Sequence, residues 1–170
     1  MKEENVDAYS EVNKSIGKIA IFGALSQNEL KEIISSMTLK KYEKGDVIFK
    51  QGGSPEYINI VEQGSVKLVR DEDGKEQLVH VCIEGESFGE TALLGILPYA
   101  ISAVAETEVF VLQMSKFAFH DLSKENPKLF SKFLLNITRE ICRHNYVCEK
   151  SLAKEIEEKN NCLTKLKNNV

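Results

Sequence analysis

The side chains with chemical potential crowd into one stretch of this 170-residue chain, Gly85-Glu86-Ser87-Phe88-Gly89-Glu90-Thr91-Ala92-Leu93-Leu94 followed by Pro98-Tyr99-Ala100-Ile101-Ser102. Glu84, Glu86 and Glu90 bring three carboxylates to it, and no Lys or Arg falls between Lys75 and Lys116. Just upstream, His80 and Cys82 stand two apart on an expected strand and so share a face. They read either as candidate ligands or as two packed strand side chains, Cys being among the most often buried residues. Cys142, His144 and Cys148 form a second group. On a helix only His144 and Cys148 lie one turn apart, so four zinc ligands cannot be assembled and no metal site is expected there. His120 beside Asp121 accompanies no nucleophile motif, and neither G-x-S-x-G nor a phosphate-binding P-loop occurs, so no enzyme is expected.

The elements that position these residues can be read from periodicity. The first 38 residues have helical spacing, with Val6, Tyr9, Val12 and Ile16 on one face, breaks at Gly17 and Gly23, and a second helix from Asn28 to Met37. Ser26 and Glu29 form a capping box at its start. From Leu39 the period changes to two. Asp46 to Gln51, Glu56 to Glu62, Ser65 to Arg70, Glu76 to Ile83, Ala100 to Glu106 and Thr107 to Gln113 read as short strands, and Asp73-Gly74 favours a tight hairpin. So many short strands predict a mainly β fold, a jelly-roll type β-roll over residues 39–114. Helical period returns at 115–170: Ser115 caps a short helix, and Asn126-Pro127 opens a long one from about residue 127.

The quoted stretch resembles the phosphate-binding cassette of the cyclic nucleotide-binding domain family. Glu43-Lys44-Gly45-Asp46-Val47-Ile48, Gln51-Gly52 and Gly64 also sit where that family places strand corners, and the likeness runs from about Ile21 to Arg143. It implies a cyclic AMP receptor-like roll with N-terminal helices and a long C-terminal helix. It further implies a ligand pocket formed by Phe88, Gly89, Glu90, Thr91, Ala92, Tyr99, Ala100 and Ser102. In that pocket Glu90 would accept from a ribose hydroxyl and Gly89 would let backbone N–H groups at a helix start approach the phosphate.

One position departs from the family pattern. Tyr99 stands where the family normally has an Arg that pairs with the cyclic phosphate. Deleting one side of a buried ion pair costs about 3–5 kcal/mol, about two to three and a half orders of magnitude in affinity. The helix-end dipole, about 0.3–1 kcal/mol, and a neutral Tyr hydrogen bond, about 0.5–1.5 kcal/mol, do not make up the difference. Cyclic AMP and cyclic GMP are the ligands the resemblance implies, and Tyr99 weighs against both. Three readings stay open: a pocket filled by the tyrosine ring, a pocket altered toward a less charged ligand, or a nucleotide site completed by Arg139 or Arg143 of a partner. The resemblance also brings haem sensors of the broader family into view, with His80 and Cys82 as candidate ligands of a haem or redox sensor.

Ile137, Ile141, Cys148, Leu152, Ile156 and Leu163 recur along the long helix at steps of four and seven. With the resemblance to regulators that dimerise through a helix in this place, they predict a homodimer seam, irregular because Lys159 interrupts it. The helix could instead fold back on its own roll or dock a protein partner, and the alternative to a ligand-responsive module is a constitutive dimeric scaffold with an empty pocket. A net charge of −4 and a pI near 5.5 argue against a broad nucleic-acid surface. No helix-turn-helix pattern follows the long helix, so DNA binding is not expected. Neither a membrane span nor a signal-peptide core is legible, and a cytoplasmic location is the expectation. The whole reads as a regulatory module signalling through its C-terminal helix.

Overall fold

The computed structural model describes residues 20–167, with side chains through residue 160. The expected first helix, with Val6, Tyr9, Val12 and Ile16, lies outside the described residues, as does the side chain of Leu163.

A short 3-10 turn, Ala20–Phe22, leads into helix α1, Gln27–Ser35. The capping box at its start is complete: Ser26 Oγ accepts from Glu29 N–H, and the Glu29 carboxylate accepts from Ser26 N–H at 2.8 Å. Eight strands follow: β1 Thr38–Tyr42, β2 Val47–Phe49, β3 Tyr57–Gln63, β4 Val66–Glu72, β5 Lys75–Cys82, β6 Ser87–Phe88, β7 Ser102–Ala105 and β8 Val109–Ser115. Helix α2, Glu90–Gly95, interrupts them, and α3, Lys116–Glu125, and α4, Pro127–Lys167, follow.

The strands form two antiparallel sheets, ordered β1-β8-β3-β6 and β2-β7-β4-β5. Every strand neighbour but β4–β5 is distant in sequence, the crossed connectivity of a roll. The β4–β5 hairpin closes through Asp73 and Gly74, both at positive φ, and Asp71 Oδ1 accepts from Gly74 N–H at 2.9 Å.

Strand alternation builds two apolar layers. Val61, Val66, Phe88, Ala103, Val109 and Val111 fill the space between the sheets, while Ile58, Ile60, Leu112 and Met114 are buried on the opposite face of the first sheet. Leu30, Ile33, Phe119, Leu122, Leu129 and Phe133 give the helices apolar faces for that second layer, where Phe133 meets both Phe22 and Phe119.

The structure adds two strands to those legible in the sequence. β1 reads as a helix–strand border because Lys40 and Lys41 blur its alternation, and β6 has only two residues. Asn126 caps α4, its Oδ1 accepting from Leu129 N–H at 3.1 Å. The chain through Asn136 is one compact unit, and from Ile137 onward α4 forms a second.

Candidate functional site

The cassette begins where β6 ends. Gly89 is the N-cap of α2 at φ +86°, a left-handed conformation that side chains rarely adopt. A Cβ there would come within 2.9 Å of Asn59 Nδ2 and 3.4 Å of the Phe49 ring. Glycine is therefore required twice, by conformation and by space. The next residue, Glu90, is 4% exposed and opens α2; Thr91 Oγ1 donates to its Oε1 at 3.5 Å. Ala92 is buried in the same turn, and Thr91 is exposed.

A buried polar relay holds this start in place. Gln113 Nε2 donates to Asn59 Oδ1 at 2.7 Å, and Asn59 Nδ2 donates to the carbonyls of Phe88 and Tyr57 at 3.2 and 3.3 Å. Both amides are almost fully buried, at 3% and 1% exposed, so their polar atoms are costly to leave unpaired. Sequence reasoning missed them. The signal was present as one polar residue in each of two apolar runs, Ile58-Asn59-Ile60 and Leu112-Gln113-Met114.

Tyr99 closes the other end of the cassette. Its ring is 6% exposed and lies flat on Phe49, centroids 3.8 Å apart and planes 7° from parallel; Phe49 in turn meets Phe88 at 5.9 Å. The hydroxyl accepts from Glu56 N–H at 3.3 Å. Tyr99 N–H donates to Gly53 O at 2.9 Å, and its carbonyl accepts from Gly52 N–H at 2.8 Å. Desolvation raises the phenol above its ordinary pKa, partly offset by the backbone donors of Glu56 and Tyr57. The ring is thus a neutral wedge between β2 and the loop that follows it.

Ala100 is exposed, and Ser102 Oγ accepts from Gln51 N–H at 2.9 Å, a bond that ties β7 to the end of β2. A cavity of about 230 Å³ lies against Tyr99, with Phe49, Lys50, Glu56, Asn59 and Gln113 in its lining. Lys50 is a cation that sequence proximity did not reveal. It is exposed and shares the lining with Glu56, so solvent screens it and it does not substitute for a buried Arg.

The structure brings His80 and Cys82 together on one face through the register Leu68↔His80 and Val66↔Cys82. Glu86 joins them: its Oε2 lies 3.1 Å from His80 Nε2 and also accepts from Ile83 N–H at 3.0 Å. Cys82 is 2% exposed in the layer between the sheets, and burial, with Glu86 and Glu90 adding to it, pushes the thiol up to about 12. A porphyrin laid against that sulfur would displace packed core, which weighs against haem.

Along α4, Ile137 is fully buried within the chain. That corrects its place in the expected dimer seam, because a side chain with no exposed surface offers none to a second copy. Further along α4, Ile141 is half-buried and Cys148, Leu152 and Ile156 are exposed. No helix among the described residues is long and apolar enough to cross a membrane.

A two-sheet antiparallel roll, interrupted by a one-turn helix whose glycine N-cap opens a cassette, is the class of fold these elements define. The cyclic nucleotide-binding domain family model matches residues 39–126, and the chain belongs to that family. Among curated relatives, a cAMP-dependent protein kinase regulatory subunit from Dictyostelium discoideum is 27% identical over 161 residues, covering 91% of this chain and 48% of the relative. A solved cyclic nucleotide-binding domain from Methylobacillus flagellatus superposes with TM-score 0.75 at 22% identity, covering 87% of this chain and 84% of that one. The regulatory subunit of a cAMP-independent protein kinase A from Trypanosoma brucei, a triple mutant bound to cAMP, superposes with TM-score 0.68 at 23% identity, covering 85% and 52%. The chain spans between 22% and 48% of the length of the regulatory subunits it matches. This chain is a cyclic nucleotide-binding domain with regulatory-subunit relatives.

Proposed function

We propose that this chain is a non-enzymatic regulatory module whose cassette keeps the family's architecture but holds its own tyrosine where the family holds phosphate charge. The observation that carries the reading is the buried Tyr99 ring stacked on Phe49, its hydroxyl satisfied by Glu56 N–H. A site prepared for a phosphate presents a buried cation; here the wedge is neutral and one lone pair of its hydroxyl is taken by Glu56 N–H. The rest of the cassette supports architecture retained for its mechanical role: Gly89 in the left-handed region, Glu90 buried at the start of α2, and the Asn59–Gln113 relay behind them.

The output element in this reading is α4. Cys148, Leu152 and Ile156 are exposed along it at steps of four, an apolar stripe suited to a second copy of this chain in a cytoplasmic homodimer. The helical start, the β-roll and the C-terminal helices divide the labour as support, scaffold and output.

Calorimetry with cyclic AMP and cyclic GMP tests the reading. No binding is expected at tens of micromolar nucleotide, and micromolar affinity for either would overturn it.

A further inference from the structure

The geometry points to a divalent metal site formed by His80, Cys82 and Glu86, of the kind that takes zinc or a similar borderline-soft cation through one nitrogen, one sulfur and one oxygen. The three ligand atoms all lie within 4.8 Å of one another. Tetrahedral zinc bonds of about 2.0–2.3 Å place ligand atoms about 3–4 Å apart, so the widest pair would have to close by about 1 Å. A mixed imidazole, thiolate and carboxylate set selects against magnesium and calcium, which take oxygen ligands.

Each ligand comes from a position the fold already fixes. His80 and Cys82 pair with Leu68 and Val66 across β4–β5, beside the register shift at Leu68/Val69. Glu86 sits in a turn closed by Glu86 N–H to Ile83 O at 3.0 Å and anchored on β3 by Val61 N–H to Glu86 O at 3.0 Å. Glu86 Oε2 both faces His80 and accepts from Ile83 N–H, and a carboxylate oxygen has two lone pairs, so it can keep that bond and still reach an ion. Access is from the outside: the His80 side chain is 51% exposed and that of Glu86 33%, while Cys82 forms the floor.

The local charge also fits. Glu84, Glu86 and Glu90 stand in a segment without Lys or Arg from residue 76 to 115, a setting that favours a cation as strongly as it opposes a phosphate. On coordination the Cys82 S–H bond breaks, its proton leaves to solvent and a sulfur–metal bond forms, with no change of oxidation state. Three protein ligands leave a fourth position for water, so the site would tie β5 to the turn that precedes the cassette. This inference does not rest on the reading of Tyr99.

The test uses the full chain with Cys142, Cys148 and Cys162 replaced by Ser, leaving Cys82 as the one thiol. Cobalt(II) is expected to bind one per chain with a thiolate-to-cobalt charge-transfer band in the near ultraviolet, and zinc(II) to displace it. Because Cys82→Ser alters a packed position, His80→Ala, at an exposed side chain, is the decisive variant: it is expected to weaken zinc at least about tenfold with the fold unchanged by circular dichroism. Absence of the band, or unchanged zinc affinity in folded His80→Ala, would overturn the site. A Soret band after incubation with haemin, lost in His80→Ala, would overturn it in favour of haem.

Discussion

Replacing Tyr99 by Arg separates a cassette that has lost one charge from one that has collapsed. The variant gives up the Phe49 stack, worth about 0.5–1.5 kcal/mol beyond burial, and the hydrogen bond from Glu56 N–H, about 0.5–1.5 kcal/mol. The expected stability loss is therefore about 1–3 kcal/mol, a fall in Tm of about 2–12 °C for a chain of this size. In exchange the guanidinium supplies the buried partner that a cyclic phosphate lacks, about 3–5 kcal/mol. The expected gain in cyclic nucleotide affinity is about two to three and a half orders of magnitude. Calorimetry and thermal melting on wild type, Tyr99→Arg and Tyr99→Phe read the two effects apart, since Tyr99→Phe loses the hydroxyl alone and should gain no affinity. A folded Tyr99→Arg protein with no gain for either nucleotide would refute the claim that Gly89, Glu90 and the α2 N-terminus remain arranged for a phosphate.

Gly89→Ala should cost about 1–3 kcal/mol in denaturant unfolding, because its Cβ would lie 2.9 Å from Asn59 Nδ2 at a left-handed φ; a neutral effect would mean the cassette start is not held as described. A chain ended after Arg143 should sediment as a monomer while the full chain sediments as a dimer, and a dimeric truncation would place the contact elsewhere. Glu29 lies 2.6 Å from Lys132 Nζ, and this bond first, then those from Ser26, lower its pKa from 4.5 to about 2. The native carboxylate binds its proton less readily than the unfolded one, so its stabilisation is present above pH about 4.5 and is lost as pH falls toward 2. Glu29→Gln should flatten that part of the stability profile, and an unchanged profile would show that the bond contributes nothing.

The roll was legible because its signals are local and redundant. Period-two runs, the Asp73-Gly74 turn and the Ser26 and Asn126 caps each fix a short segment, and together they leave few architectures. The site was legible only along the chain. Gly89, Glu90 and Tyr99 lie within one segment, but Asn59 and Gln113, which hold Gly89's backbone neighbour Phe88, reach it from strands whose pairing no local pattern announces. Phe49 and Glu56, the partners of Tyr99, and Lys50 beside it arrive by tertiary packing, 43 or more positions away in sequence. Ile137, buried within the chain, shows a related limit. Helical spacing identifies an apolar face without saying whether the chain's own fold or a second copy covers it.

The same tertiary partners explain how a tyrosine can occupy this position without wrecking the roll. An unliganded arginine here would lie on the Phe49 ring, with Lys50 in the same cavity lining and the Glu56 carboxylate already paired with Lys116 at 2.8 Å. Tyr99 removes that desolvated charge, stacks on the Phe49 ring, and takes up the Glu56 N–H. The exchange favours the empty state: the family residue is completed by its ligand, whereas Tyr99 is completed by the protein. A roll stabilised in this way keeps Tyr99 packed on Phe49 whether or not nucleotide is present. On this argument the wild-type protein's melting temperature should not respond to millimolar cyclic AMP, while that of Tyr99→Arg should rise with it, the linkage expected when only one of the two folds has a completed site.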